Sequence, residues 1–193
     1  MPTTDIHPET LRFLQRQDKE RLLGQKGLVI WLCGLPGAGK ATIASAAERI
    51  LHHQHILTAV LLVDNLRTSL NADLGSSAEH RLEPIRRAAE VAKILASQGI
   101  VTIISAVTPH GELRDLARGI LGHDFFEVYV RSSYPGRQQR LAKVLNMRGE
   151  EAAAARDPRF EEPQAPDLVL DTDRLSIADC TSELLEAVTP RIR

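Results

Sequence analysis

The nine residues Gly34-Leu35-Pro36-Gly37-Ala38-Gly39-Lys40-Ala41-Thr42 constrain this chain more than any other stretch. They follow an apolar, β-rich run, Leu28-Val29-Ile30-Trp31-Leu32-Cys33, and lead into Thr42 to Leu51, where apolar residues recur at helical spacing. A Gly-rich turn between strand and helix that ends in lysine is the context of the GxxxxGK[ST] phosphate-binding loop. Glycine lets successive N–H groups turn inward, and the helix N-terminus adds its positive end. The turn is therefore suited to the phosphates of a nucleotide such as ATP. Lys40 is placed to reach the β and γ oxygens, and residues 34–42 form the expected nucleotide site. The position after the lysine normally gives a hydroxyl to Mg²⁺, but Ala41 has none and Thr42 stands one residue further round the helix. The expectation is a loop that binds ATP, with Mg²⁺ held through waters and the nucleotide's own oxygens and no direct protein ligand for the metal.

Further strands are expected at Thr58–Val63, Ile100–Ala106, Phe125–Val130 and Leu168–Leu170, with helices between them. Apolar strands that alternate with helices predict an α/β protein of the P-loop NTPase/kinase fold, with a parallel five-stranded sheet covered by helices on both faces. Ligands of such sheets gather at the carboxyl ends of the strands. Here those ends carry the loop after Cys33, Asp64 to Arg67, and Thr108-Pro109, so three distant segments converge on one crevice. A polar helix is expected over Pro8–Leu23 and a longer amphipathic one from about Ala78 to Ser97, ending at Gly99. Residues 1–193 read as one domain, with 1–26 as a helical extension and the strandless, Ala/Arg/Glu-rich 147–166 as a lid.

With 24 Lys and Arg against 25 Asp and Glu, the net charge of −1 gives no basic field for a nucleic acid. Two cysteines, Cys33 and Cys180, lack metal spacing and are too few for a disulfide framework. No apolar run approaches the roughly 20 residues of a membrane span, and the N-terminus has no signal-peptide core, so a cytoplasmic protein is expected. His52, His53 and His55 read as a polar boundary at a helix end, with no metal role expected.

The chain resembles the adenylyl-sulfate kinase family over nearly its whole length. The likeness rests on RLLGQKG at 21–27, the loop GLPGAGKATIA, DNLR at 64–67, LNADLG at 70–75, IRRAAEVAK at 85–93 and PDLVLDT at 166–172. It implies phosphorylation of the ribose 3′-hydroxyl of adenosine 5′-phosphosulfate by ATP, and a homodimer. By position it gives catalytic roles to Lys40, Asp64 and Thr108, the last standing where the family has a serine before proline, commonly a phosphoserine. Asp64, Asn65 and Arg67 would line the nucleoside-sulfate pocket, Arg81 would meet the phosphosulfate, and Lys143 with Arg140 would close over the phosphates. Guanidinium suits such work because it forms paired, charge-assisted bonds to phosphate or sulfate oxygens.

The chain departs from the family pattern around the same crevice. Leu62 replaces an acid that is a candidate base or metal-shell ligand, and Ser76 replaces an aromatic that would stack on adenine. The shortened Glu150–Arg159 stretch has no counterpart of a second aromatic, and Pro84 replaces an asparagine. Each lost stacking platform is worth roughly 1–3 kcal/mol. Two alternatives stay open on these residues: a kinase of this fold with a different nucleotide-like substrate, or a catalytically silent nucleotide-binding protein. Arg86 and Arg87 beside Glu83 and Glu90 read as a solvated helix face, and Arg148 and Arg156 as lid charges.

Overall fold

The computed structural model describes residues 13–74, 82–133, 135–137 and 160–193. In chain order the elements are α1 (Arg16–Leu23), β1 (Leu28–Cys33), α2 (Lys40–His53), β2 (Thr58–Leu62), α3 (Glu83–Ser97), β3 (Val101–Ser105), α4 (Gly111–Leu121), β4 (Phe125–Arg131), β5 (Leu168–Asp171) and α5 (Ile177–Ile192). The five strands form one sheet in the order β2-β3-β1-β4-β5, and every pairing is parallel. This is the expected α/β architecture.

β1 lies at the centre and is buried at all six positions, which is why it reads as an unbroken apolar run. Its alternate residues serve two cores. Leu28, Ile30 and Leu32 pack with Ile43, Ala47 and Leu51 of α2 and Leu184 and Val188 of α5. Val29, Trp31 and Cys33 face Ala88, Ala92 and Ala96 of α3 and Leu113 and Ala117 of α4. The run of alanines on α3 brings that helix close to the sheet, and Trp31 with Phe125, ring centroids 5.8 Å apart, fills the space beside it.

Several boundaries differ from expectation. Helix α1 begins at Arg16, where Gln15 and Asp18 form a capping box, and residues 13–15 before it are not helical; the expected start at Pro8 lies outside the described residues. Val63 leaves the strand and opens a 3-10 helix, Val63–Thr68, so the segment Asp64 to Arg67 is helical. β2 is an edge strand and only half-buried, less enclosed than its apolar sequence implies. Helix α3 begins at Glu83 with Pro84 in its first turn, where a missing N–H costs nothing. The expected start near Ala78 lies outside the described residues, as do 147–159 of the expected lid. The described remainder, residues 160–166, has neither helix nor strand.

Candidate active site

The loop after β1 takes the conformation its glycines permit. Gly34, Gly37 and Gly39 have φ of 143°, 81° and 103°, a region that favours glycine. At Gly34 a side chain is also excluded sterically, since a Cβ would run into the Val130 carbonyl of β4. Lys40 is the first residue of α2 and only 7% exposed. Its Nζ donates to the carbonyls of Gly34 at 2.7 Å and Leu35 at 3.0 Å, so the ammonium is folded back over its own loop. Burial lowers Lys40 to about 8; the neighbouring Asp64 carboxylate opposes that shift and Arg137 adds to it. A buried ammonium whose hydrogen bonds go to carbonyls gains from a phosphate beside it.

The sheet order sets β2, β3 and β1 side by side, and the three segments expected at one crevice follow the carboxyl ends of these strands. Asp64, Asn65 and Arg67 are exposed on the 3-10 helix after β2. Thr108 follows β3 and is 2% exposed, with φ of 35°, and among the described residues its hydroxyl has no hydrogen-bond partner. A β-branched residue in that conformation is strained. The Arg114 guanidinium holds it there by donating to the Thr108 carbonyl at 2.7 Å.

Arg114 is itself 5% exposed and joins three parts of the site. Its second amino group donates to the Glu161 carbonyl at 2.8 Å, and its Nε lies 3.3 Å from the Glu127 carboxylate on β4. Glu127 also accepts from Arg118 at 2.7 Å, and although burial raises its carboxyl, both arginines oppose the rise. The Glu161 amide donates to the Pro109 carbonyl at 2.8 Å, and its carboxylate accepts from the Gly111 amide at the α4 N-terminus at 2.7 Å. Phe160 stacks on Tyr129 with centroids 5.7 Å apart and planes 17° from parallel. The root of the expected lid is thus docked on the Thr108–Gly111 turn.

On the other side of the loop, Thr172 Oγ1 donates to the Ala38 carbonyl at 3.0 Å, tying the end of β5 to the phosphate loop. An open pocket of about 440 Å³ lies between these parts, lined by Leu35, Tyr129, Arg131, Arg137, Phe160 and Asp173 among others. Its lining combines an aromatic wall with two arginines and the carboxylates of Glu162, Asp171 and Asp173.

Ala41 and Thr42 are both exposed on the first turn of α2. The side chain after Lys40 carries no oxygen. The chain therefore does not present the hydroxyl ligand that Mg²⁺ usually finds in such loops. Cys33 is buried and its thiol is pushed up to about 12 by burial; Cys180 is buried too. His52 and His53 are exposed at the end of α2, as a polar boundary requires. No helix among the described residues is long and apolar enough to cross a membrane.

Of the residues expected to bind substrate, Arg81 and Lys143 lie outside the described residues, as do Arg140 and Ser76. Glu83 pairs with Arg86 at 2.7 Å and Arg87 at 2.8 Å, but Arg87 also grips Asp73 and so pins the LNADLG turn to α3. Arg114, Glu127, Arg137 and the Tyr129–Phe160 pair line the pocket or brace the Thr108 turn and were not singled out from sequence. Glu127 in an apolar strand was a usable signal, because a buried acid requires a cation.

Comparison with known proteins matches residues 26–171 to the family model described as adenylylsulphate kinase. The adenylyl-sulfate kinase of Phocaeicola vulgatus is 42% identical over 195 residues, covering 98% of this chain and 96% of that one. The adenylyl-sulfate kinase of Bacteroides fragilis is 41% identical, covering 97% and 96%. The Mycobacterium tuberculosis APS kinase, solved in complex with AMPPNP and APS, superposes with a TM-score of 0.75 at 36% identity, covering 85% of this chain and 98% of that one.

Proposed function

The chain belongs to the adenylyl-sulfate kinase family, and from that premise we propose that it transfers the γ-phosphoryl group of ATP to the 3′-hydroxyl of adenosine 5′-phosphosulfate. The observation that carries this reading is Lys40, buried at the N-terminus of α2 with its Nζ turned onto the Gly34 and Leu35 carbonyls of the glycine loop.

Phosphoryl transfer asks a protein mainly for position and charge. The Gly34–Thr42 amides and Lys40 receive the phosphates of ATP. Asp64 at the end of β2 takes the acceptor hydroxyl's proton as the new P–O bond forms, and the β,γ-bridging oxygen leaves with ADP. Asn65 and Arg67 meet the acceptor nucleotide, joined by Arg81 and Lys143, and Thr108 supplies the turn beside it. Ala41 offers no oxygen to Mg²⁺, so no step in this scheme runs through a protein-held metal. The homodimer implied by the resemblance belongs to the same proposal, and sedimentation velocity reads it.

Calorimetry tests the acceptor assignment. Adenosine 5′-phosphosulfate is expected to bind the protein loaded with a non-hydrolysable ATP analogue, while adenosine 5′-phosphate binds more weakly. Undetectable binding of the phosphosulfate contradicts the assignment.

A further inference from the structure

Thr108 carries two costs at once. Its φ of 35° is strained for a β-branched side chain, and its buried hydroxyl has no hydrogen-bond partner among the described residues. A neighbour six positions on keeps it so. Arg114 donates through one terminal amino group to the Thr108 carbonyl at 2.7 Å and through the other to the Glu161 carbonyl at 2.8 Å. Its Nε faces Glu127 at 3.3 Å, and the guanidinium carbon lies 5.8 Å from the centre of the Phe160 ring. A planar guanidinium with donors on three nitrogens can span two carbonyls and a carboxylate, whereas an ammonium is a single point of charge.

The position of this fork in the sheet gives it a use. Strand β3 lies between β2 and β1, so the turn after β3 stands between Asp64, which follows β2, and the phosphate loop, which follows β1. The Gly34 amide donates to the Val107 carbonyl at 3.4 Å, and Lys40 Nζ donates to the Gly34 carbonyl at 2.7 Å. Hydrogen bonds thus lead from Lys40 through Gly34 to the Val107–Thr108 turn, and from that turn through Arg114 to Glu161. Glu161 returns to the same turn through its amide on the Pro109 carbonyl and its carboxylate on the Gly111 amide.

We propose that Arg114 is a positioning residue for phosphoryl transfer, its fork holding the Thr108 turn and the Phe160–Glu161 segment as one rigid unit between the phosphate loop and Asp64. It acts through the two carbonyls it binds, and Glu127 supplies the opposite charge that lets it be buried. The work lies in the span of the fork and not in its charge. A strained turn beside a reacting centre relaxes when its restraint is removed, and a displacement of about 1 Å there costs up to about a hundredfold in rate.

The inference rests on transfer to adenosine 5′-phosphosulfate, and one arm of its test needs no substrate. Arg114→Lys keeps the charge opposite Glu127 and loses the fork. The double variant Arg114→Met with Glu127→Gln removes both charges, so that neither is left buried alone, and thermal melts check that each protein is folded at the assay temperature. In both, kcat with the phosphosulfate is expected to fall about thirtyfold, with the KM for ATP and the affinity for inorganic tripolyphosphate within about threefold of wild type. Amide hydrogen exchange without nucleotide is expected to quicken at least about tenfold at Glu161 and Gly111 while the amides of β1 keep their protection. A kcat within about twofold of wild type in Arg114→Lys shows that charge alone matters and overturns the inference. Unchanged exchange at Glu161 and Gly111 overturns it too, as does a loss that appears in the KM for ATP and not in kcat. A wild-type protein that turns over no phosphosulfate counts against the acceptor assignment, and the exchange comparison then decides alone whether Arg114 holds the two segments together.

Discussion

The Thr172 hydroxyl donates a 3.0 Å hydrogen bond to the Ala38 carbonyl inside the phosphate loop, and this contact is buried. It fixes the loop to the end of β5 through a residue 134 positions away. Thr172→Val keeps the shape and removes the donor of this buried hydrogen bond. The expected cost is about 1–3 kcal/mol in thermal unfolding, with a smaller change for Thr172→Ser.

Lys40 governs a pH dependence whose sign follows from its burial. Its folded value of about 8 lies below the 10.5 of an ordinary lysine, so the unfolded chain holds the proton more tightly. The group opposes folding fully below pH 8, and the penalty is relieved as pH rises through the window up to 10.5. Lys40→Met is expected to raise the melting midpoint by a few degrees at pH 7, by less at pH 10, and to abolish tripolyphosphate binding.

The same lysine predicts proton uptake on binding. A phosphate beside Nζ favours the ammonium, so at pH 9 binding draws a proton from solvent. Calorimetric titrations in buffers of different ionisation enthalpy read this directly, and affinity is expected to fall as pH rises above 8.

Glu127 holds Arg114 and, through it, both the Thr108 turn and the Phe160–Glu161 root. Glu127→Ala strands a buried guanidinium and is expected to cost about 3–5 kcal/mol in denaturant unfolding. Arg118→Ala removes a partner that is 44% exposed and is expected to cost under about 1 kcal/mol.

Position 41 is exposed, so Ala41→Thr is expected to change stability by less than about 0.5 kcal/mol. The added hydroxyl is expected to make ATP affinity depend on Mg²⁺ about tenfold more strongly than in the parent. Equal Mg²⁺ dependence in the two proteins shows that position 41 does not set the metal requirement.

The sheet and the loop were legible because each rests on a local signal: an unbroken apolar run for β1, mostly apolar runs for β3 and β4, and the Gly34–Lys40 spacing for the phosphate site. What joins them was not. Arg114 and Thr172 act through partners far along the chain, and nothing in a helix sequence such as GELRDLARGIL separates the buried Arg114 from the more exposed Arg118. Residues 13–15 read as helical because periodicity continues upstream of Arg16, where a side-chain cap and not periodicity marks the boundary. Phe160 escaped notice because it falls one residue beyond the stretch searched for an aromatic, yet it packs on Tyr129.

The central claim is that this crevice moves a phosphoryl group from ATP to adenosine 5′-phosphosulfate. The most direct measurement is transfer of label from γ-³²P-ATP to that acceptor by the purified wild-type chain, followed as initial rates. The account predicts a labelled 3′-phosphorylated product formed at about 1–100 s⁻¹. No labelled product from a protein that still binds tripolyphosphate would contradict it.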